Sequence, residues 1–213
     1  LALGLGALTG LTWGASARAA IPAPLNFRIL RQGTDIGRYA IGFSGTPQDL
    51  TTTADIDVRV KFAFVTVLRY QHTAVERWSD GLLVGLQSKT ESNGRLREVT
   101  SEPHADGLKV LGTKRRETII PRHTLTSNAL WHPGFVRQRE IIDTHSGTSL
   151  EIAAEPEAIE RVRVPGAEAA SRLYRVKVAK FERFSLFVRY DTDGRWIGGL
   201  AQSDSDRILF EPI

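Results

Sequence analysis

The stretch Asp55-Ile-Asp-Val-Arg-Val-Lys-Phe62 carries a charged residue at every odd position and an apolar residue at every even position. Successive side chains of a β-strand point to opposite sides, so this alternation predicts a strand with one face in the core and one in water. An α-helix would distribute the same residues around its whole surface. The stretch therefore indicates a sheet with a dry face and a wet face.

The same phase continues beyond Phe62. Further apolar residues lie at even positions, namely Phe64, Leu68, Tyr70, Ala74 and Trp78. Val65 and Val67 interrupt the pattern, which predicts a bulge or bend near Phe64–Val67.

Tight turns are marked by dipeptides that end in Gly, because Gly accepts a positive φ and Asn or Asp tolerates one. Three of them recur at regular spacing and two more follow: Asp80-Gly81, Asn93-Gly94, Asp106-Gly107, Ser146-Gly147 and Asp193-Gly194. The spacing leaves room for strands of up to about 36 Å. Strands of that length twist and coil, so a strongly curved sheet is expected.

Eleven further segments have strand character. They are Phe27–Arg31, Gly37–Ser44, Leu82–Thr90, Leu96–Ser101, Leu108–Thr113, Leu150–Ala154, Ile159–Val164, Leu173–Ala179, Ser185–Tyr190, Arg195–Ala201 and Arg207–Glu211.

The rest of the chain offers little helix. Arg137–Ile142 and Glu155–Arg161 are candidates for short helical pieces, and Pro121–Gly134 has no period and predicts a long loop. The predicted fold class is all-β: a single highly curved antiparallel sheet or open β-barrel, with this long loop near its mouth.

The N-terminal residues are typical of an export signal. Leu1–Trp13 is apolar and uncharged, and Ala17-Arg18-Ala19 fits the small-x-small cleavage pattern. We expect cleavage near Ala19, which makes 1–19 the signal peptide, 20–213 a single β domain and the mature protein periplasmic or secreted. The chain contains no Met, so its natural start is expected upstream, where a twin-arginine motif would lie if that route is used rather than the general one.

Composition and motifs argue against several kinds of chemistry. The chain has 213 residues and a net charge of +4. It contains no Cys, and this excludes disulfides and thiolate chemistry. The five His lack zinc-site spacing, and Asp191–Gly194 fits a hairpin turn better than a calcium loop. Lys114-Arg115-Arg116 is the densest basic run, without interleaved aromatics. We therefore predict no catalytic residues, no metal, no cofactor, no nucleic-acid partner and no membrane-spanning segment.

The candidate binding residues lie in two places. On the strand, Tyr70, His72, Glu76 and Trp78 share the inward face if the phase from Ile56 continues, whereas a bulge would turn His72 and Glu76 to water. Along a regular strand His72 and Glu76 are about 13 Å apart, so they cannot bond each other directly.

In the long loop, Trp131 and His132 are the other candidates, and Pro133 restricts His132 to extended conformations. Trp131 is expected either to plug the end of the barrel or to form the lip of a pocket.

Three segments carry a family resemblance: Tyr70–Gly81 with Asn93-Gly94, Thr126–Pro133 with Asp143-Thr144 and Gly147, and Tyr190–Trp196. Together they resemble an uncharacterised bacterial family of exported β-rich proteins, a domain of unknown function, from about Phe27 to Phe210. The resemblance implies Asn after the loop Trp, where this chain has His132. The family has no known activity, so the resemblance assigns no catalytic residues. The architecture is also distantly similar to the half-barrels of periplasmic lipoprotein carriers.

These observations favour a non-enzymatic binding or assembly factor of the cell envelope with an apolar-ligand groove, because a curved sheet has a concave face that can hold such a ligand. A lipid or other apolar ligand and an envelope protein are the expected partners. Two alternatives remain open: a hydrolase that uses dispersed Asp, Glu and His, and a structural module that pairs through a sheet edge.

The export signal makes a direct prediction. N-terminal sequencing of the protein recovered from the periplasm should begin at Ala20 or within two residues of it, because the cleavage motif ends at Ala19. Recovery of periplasmic protein that still begins at Leu1 would contradict the assignment.

Overall fold

The computed structural model describes residues 20–62, 65–113 and 116–213, so the predicted signal peptide lies outside the described residues. Within these ranges the chain forms strands and two short 3₁₀ turns, Ala129–Trp131 and Phe135–Arg137. The strands are β1 Leu25–Arg31, β2 Thr34–Gly45, β3 Asp49–Phe62, β4 Val65–Ser79, β5 Leu82–Ser92, β6 Arg95–His104, β7 Gly107–Leu111, β8 Glu117–Ile120, β9 Leu125–Thr126, β10 Glu140–Ile142, β11 Ser149–Val164, β12 Ala167–Val178, β13 Ser185–Asp191, β14 Trp196–Gln202 and β15 Arg207–Pro212. No helix in these ranges is long and apolar enough to cross a membrane.

All fifteen strands belong to one sheet, in the order β8-β7-β6-β5-β4-β3-β2-β1-β15-β14-β13-β12-β11-β10-β9. Neighbours pair antiparallel except β9 and β10, which are parallel. The first and last strands, β1 and β15, pair in the middle of the sheet, while its two edges, β8 and β9, follow each other in the chain. The sheet is curled and not closed, which confirms the predicted fold class.

The bulge predicted near Phe64–Val67 is confirmed: Val60 pairs with Leu68 and Lys61 with Thr66, which leaves Val67 as an extra residue in β4. The continuous strand that the pattern implied from Ile56 to Trp78 is wrong. The chain turns back after Phe62, and Phe62 of β3 pairs with Val65 of β4 across a hairpin whose register shifts between Val60 and Lys61. Beyond that shift Ile56 lies opposite His72. Directly opposed residues share a face of a sheet, so the even positions of both strands point to the same side although the strand is not continuous.

The turn predictions hold at two of the hairpins. Asp80 and Asn93 have φ of 48° and are followed by Gly81 and Gly94 at 76° and 77°, the positive pair that a two-residue hairpin requires. The third turn lies one residue earlier than predicted, because Gly107 already belongs to β7 and pairs with His104.

The helical pieces predicted at Glu155–Arg161 and Arg137–Ile142 are wrong. The first lies inside β11, which also joins the two predicted strands Leu150–Ala154 and Ile159–Val164 into one. Its ladder shifts register between Pro156 and Ala158, since Pro has no N–H to donate. The second consists of the end of a 3₁₀ turn and β10.

The core lies on the concave face of the sheet. Its centre is an aromatic cluster in which the ring of Trp196 is 4.2 Å from Phe27 and 5.5 Å from Tyr39. The segment predicted as a long loop, Pro121–Gly134, contains the two-residue strand β9 and packs onto this face, where its Leu130 is buried together with Phe135 just after it. The loop therefore supplies core residues that the curled sheet alone lacks.

At Gly112 and Gly147 the backbones of two segments near opposite ends of the sheet lie close together. Gly147, in the turn after β10, has φ of 73°, and a Cβ built there would lie 2.6 Å from the Cα of Gly112, just after β7. No side chain fits between these two backbones, so the close approach requires Gly at both positions.

We predict that Gly147→Ala destabilises the protein more than Gly94→Ala. Both residues have a similar positive φ, but a Cβ at Gly94 meets nothing within 4 Å. Gly94→Ala should cost about 1 kcal/mol of backbone strain, and Gly147→Ala about 1–3 kcal/mol more because the two ends of the sheet must separate. Equal midpoints of urea unfolding for the two variants would refute the contact.

Candidate functional site

The inward row of β4 forms the floor of the site. Tyr70, His72, Ala74, Glu76 and Trp78 alternate along it, and His72 and Glu76 are each 2% exposed. The structure thus decides between the two orientations considered for these polar residues, since both face the interior. Buried polar groups need hydrogen-bond partners, and these lie on neighbouring strands and on the long loop.

Glu76 accepts two hydrogen bonds from threonine hydroxyls. Thr52 of β3, its direct cross-strand neighbour, donates to Oε2 at 3.1 Å, and Thr126 of β9 donates to Oε1 at 2.6 Å. Trp78 in turn donates its indole N–H to the Thr52 hydroxyl at 3.3 Å. Burial raises the pKa of Glu76 to about 7, against the hydrogen bonds, which lower it.

His72 is held as the neutral imidazole. Its Nε2 accepts a hydrogen bond from Asn128 Nδ2 at 3.0 Å and lies 3.3 Å from the Thr144 hydroxyl. Nδ1 therefore carries the proton and donates it to the Thr90 hydroxyl at 2.7 Å. Burial first, and then the neighbouring His145, lower the pKa of His72 to about 4.

The loop connects these two groups, which lie too far apart to bond directly. Asn128 donates its backbone N–H to the Thr126 hydroxyl at 3.2 Å, so one short segment reaches both Glu76 and His72. We call the connected set the buried polar network; it comprises Thr52, His72, Glu76, Thr90, Thr126, Asn128 and Thr144. It fixes the loop on the concave face at one register.

Tyr70 lies at the boundary of this network. Its ring stacks on His72 at 6.4 Å and on His145 at 6.0 Å, and His145 contacts the Arg97 guanidinium through Nε2. Burial, with Asp143 as the next cause, raises the pKa of Tyr70 to about 12. The phenol is thus neutral and separates the network from the space beyond it.

Trp131 and His132 lie at the other side of the network. Trp131 packs edge-on against Trp78 at 5.8 Å and against Phe43 at 5.2 Å, so it covers the core, as the plug interpretation expects. His132 uses Nδ1 to accept the backbone N–H of Gly134 at 3.0 Å. Burial, followed by Arg137, lowers the pKa of His132.

An open cavity lies on the same concave face, beyond Tyr70. It has a volume of about 450 Å³, and ten of its twelve lining residues are apolar or aromatic. We call it the apolar groove; it is lined by Ile29, Arg31, Ile36, Ile56, Val58, Val60, Val67, Leu68, Tyr70, Asp206, Ile208 and Phe210. Of the six predicted binding residues only Tyr70 lines it.

Sequence reasoning missed most of these partners. Thr126 and Thr144 belong to the segments that carry the family resemblance, so a signal was present for them. For Thr52 and Thr90 there was none, because nothing local distinguishes them from other strand threonines. Arg31 and Ile208 belong to predicted strands, but the groove exists only because β1 pairs with β15 across nearly the whole length of the chain.

The fold and the site define a class: an open, β-barrel-like protein whose concave face is partly covered by its own loop. Residues 27–213 match the sequence family described as Domain of unknown function (DUF6134), and the chain belongs to this family. No curated protein sequence matches the chain significantly.

Among solved structures the chain is similar to the crystal structure of a beta-barrel-like protein of domain of unknown function DUF1849 from Brucella abortus. The TM-score is 0.64 and the sequence identity 13%, and the match covers 91% of this chain and 96% of that one. At this identity the likeness concerns the fold.

The two buried titratable groups predict opposite responses to pH. The pKa of Glu76 rises from 4.5 to about 7 on folding, so its contribution to stability falls as pH rises through that window. The pKa of His72 falls from 6.5 to about 4, so its contribution falls as pH drops through that window. Relative to the wild type, Glu76→Gln should gain roughly 3 kcal/mol in the free energy of unfolding toward neutral pH, and His72→Gln a similar amount toward acid.

Urea unfolding of the wild type and both variants between pH 4 and 7.5 measures these differences. Each variant serves as the control for the other, because the two expected slopes have opposite signs. Differences that stay flat, or that share one sign, would contradict the assigned protonation states.

Proposed function

We propose that the protein is an exported, non-enzymatic binding or assembly factor of the cell envelope that holds an apolar ligand in the apolar groove. The observation that carries the proposal is the groove itself, which five adjacent strands line with aliphatic and aromatic side chains while it stays open to solvent. Its volume of about 450 Å³ lies in the range of small-molecule sites. Binding of an apolar ligand in such a groove is favourable, because it removes apolar surface of both ligand and protein from water.

The polar residues support a structural role for the network. The carboxylate of Glu76 and both ring nitrogens of His72 are buried and bonded to other side chains of this protein. A general acid or base must reach the proton that it transfers. The network therefore favours the binding hypothesis over the hydrolase hypothesis.

The sheet edges favour the binding hypothesis over the structural module that pairs through a sheet edge. The edge strands β8 and β9 have four and two residues, so each offers few backbone groups to an added strand.

Export and the periplasmic location are proposed from the apolar segment before Ala20 and its cleavage motif.

The groove can be tested with the fluorescent apolar probe N-phenyl-1-naphthylamine. The wild type should enhance its fluorescence, and Ile208→Asp should abolish the enhancement, because a charge in the groove opposes apolar binding. Ile119→Asp is the matched control, since Ile119 lies on β8, outside the groove, and is 51% exposed.

Both variants should keep the far-ultraviolet circular dichroism of the wild type. Probe binding that survives in Ile208→Asp, or that Ile119→Asp abolishes equally, would place the apolar site elsewhere and reject the proposal.

A further inference from the structure

The lining of the apolar groove contains one ion pair. Arg31, at the end of β1, and Asp206, just before β15, are the only charged residues among its described lining residues. Arg31 donates from Nε to both Asp206 carboxylate oxygens at 2.9 Å. Both side chains are partly exposed, at 38% and 31%, so the pair lies where the apolar wall meets solvent.

The geometry of the pair leaves donors available. Both hydrogen bonds to Asp206 use Nε, and among the described residues neither terminal Nη of Arg31 has a hydrogen-bond partner. The Arg31 side chain is 38% exposed, so it remains accessible. A guanidinium has only donors, and its planar fork matches a carboxylate or a phosphate. Asp206 thus fixes the guanidinium while its free edge can receive an acceptor group.

The apolar lining of the groove extends over several strands. It crosses β15, β1, β2, β3 and β4, which lie side by side. Four spacings between neighbouring strands amount to at most about 19 Å. Arg31 lies near one side of this span and Tyr70 lies on β4 at the other. A site with one donor-rich end and a long apolar wall suits an amphiphile with a single chain.

We infer that the apolar groove binds an acyl chain whose head group is a carboxylate or a phosphate, with the head group on the free Nη edge of Arg31 and the chain running toward Tyr70. This inference rests on the proposed function. Asp206 is a positioning residue: it holds Arg31 by Nε, and it prevents the guanidinium from turning away from the groove.

The test compares two ligands that differ only in the head group. Laurate and dodecanol, both below their aggregation concentrations at pH 8, compete with N-phenyl-1-naphthylamine for the wild type. Laurate should compete at a concentration roughly tenfold lower than dodecanol, since a charge-assisted hydrogen bond adds to the same apolar contact. In Arg31→Met the competition by laurate should weaken by about the same factor, and competition by dodecanol should stay unchanged.

Arg28→Met is the matched control. Arg28 lies on the same strand and is also ion-paired, to Glu211, but it is exposed outside the groove. This variant should keep the preference for laurate. Lauroyl lysophosphatidate is then compared with laurate in the same competition. The anion that competes at the lower concentration shows whether the head group is a lipid phosphate or the carboxylate of a free fatty acid, and either result supports the inference.

Three results separate the hypotheses. Equal competition by laurate and dodecanol in the wild type, with both ligands lost in Ile208→Asp, would overturn the head-group inference and leave the groove as an apolar site. Preference for laurate that persists in Arg31→Met would also overturn the inference. Failure of both ligands and of the probe to bind the wild type would overturn the proposed function itself.

Discussion

The structure depends on one constraint: a sheet that curls without closing has a concave face that its own side chains do not fill. The long loop covers part of this face, and hydrogen bonds hold it there. Thr126 and Asn128, two residues apart, reach Glu76 and His72 on β4. Without these bonds Glu76 would keep only Thr52 as a donor and His72 would lose the Asn128 donor to its Nε2, and a buried polar group that loses a partner is costly in a dry environment. The same bonds therefore position the loop and make the burial of β4's polar residues tolerable.

Hydrophobic packing alone would hold the loop less specifically. Leu130 and Phe135 are buried, but apolar contacts are non-directional and allow several registers. The network requires donor against acceptor at each position, so a slip of the loop by one residue would remove the Thr126 donor from Oε1 of Glu76. Polar groups in a core can specify one arrangement at some cost in stability. The segment after β10 adds to this, since Thr144 lies against His72 from the other end of the loop.

The fold could be predicted from the sequence because its signals are local. The alternation from Asp55 to Phe62 marks a strand by itself. The β3–β4 turn alone would pair even positions of β3 with odd positions of β4, as in Phe62 opposite Val65, and the bulge at Val67 restores the pairing that places His72 opposite Ile56. The partners of His72 could not be predicted in this way. The turn at Asp80-Gly81 alone would place His72 opposite Lys89, but a register shift between Arg77 and Trp78 places it opposite Thr90. A shift of one residue is decided by packing, which the sequence of one strand does not contain.

Tyr70 shows how the concave face is divided. One side of its ring stacks on His72, so it belongs to the wall of the network, and it also lines the apolar groove. The loop covers the face on the network side and leaves it open on the other. If the loop existed only to complete the core, there would be no reason for it to stop at this boundary, where Ile56, Val58 and Leu68 remain only partly buried. A contiguous apolar surface that the loop leaves exposed is typical of a binding site, so the groove favours occupation by a ligand.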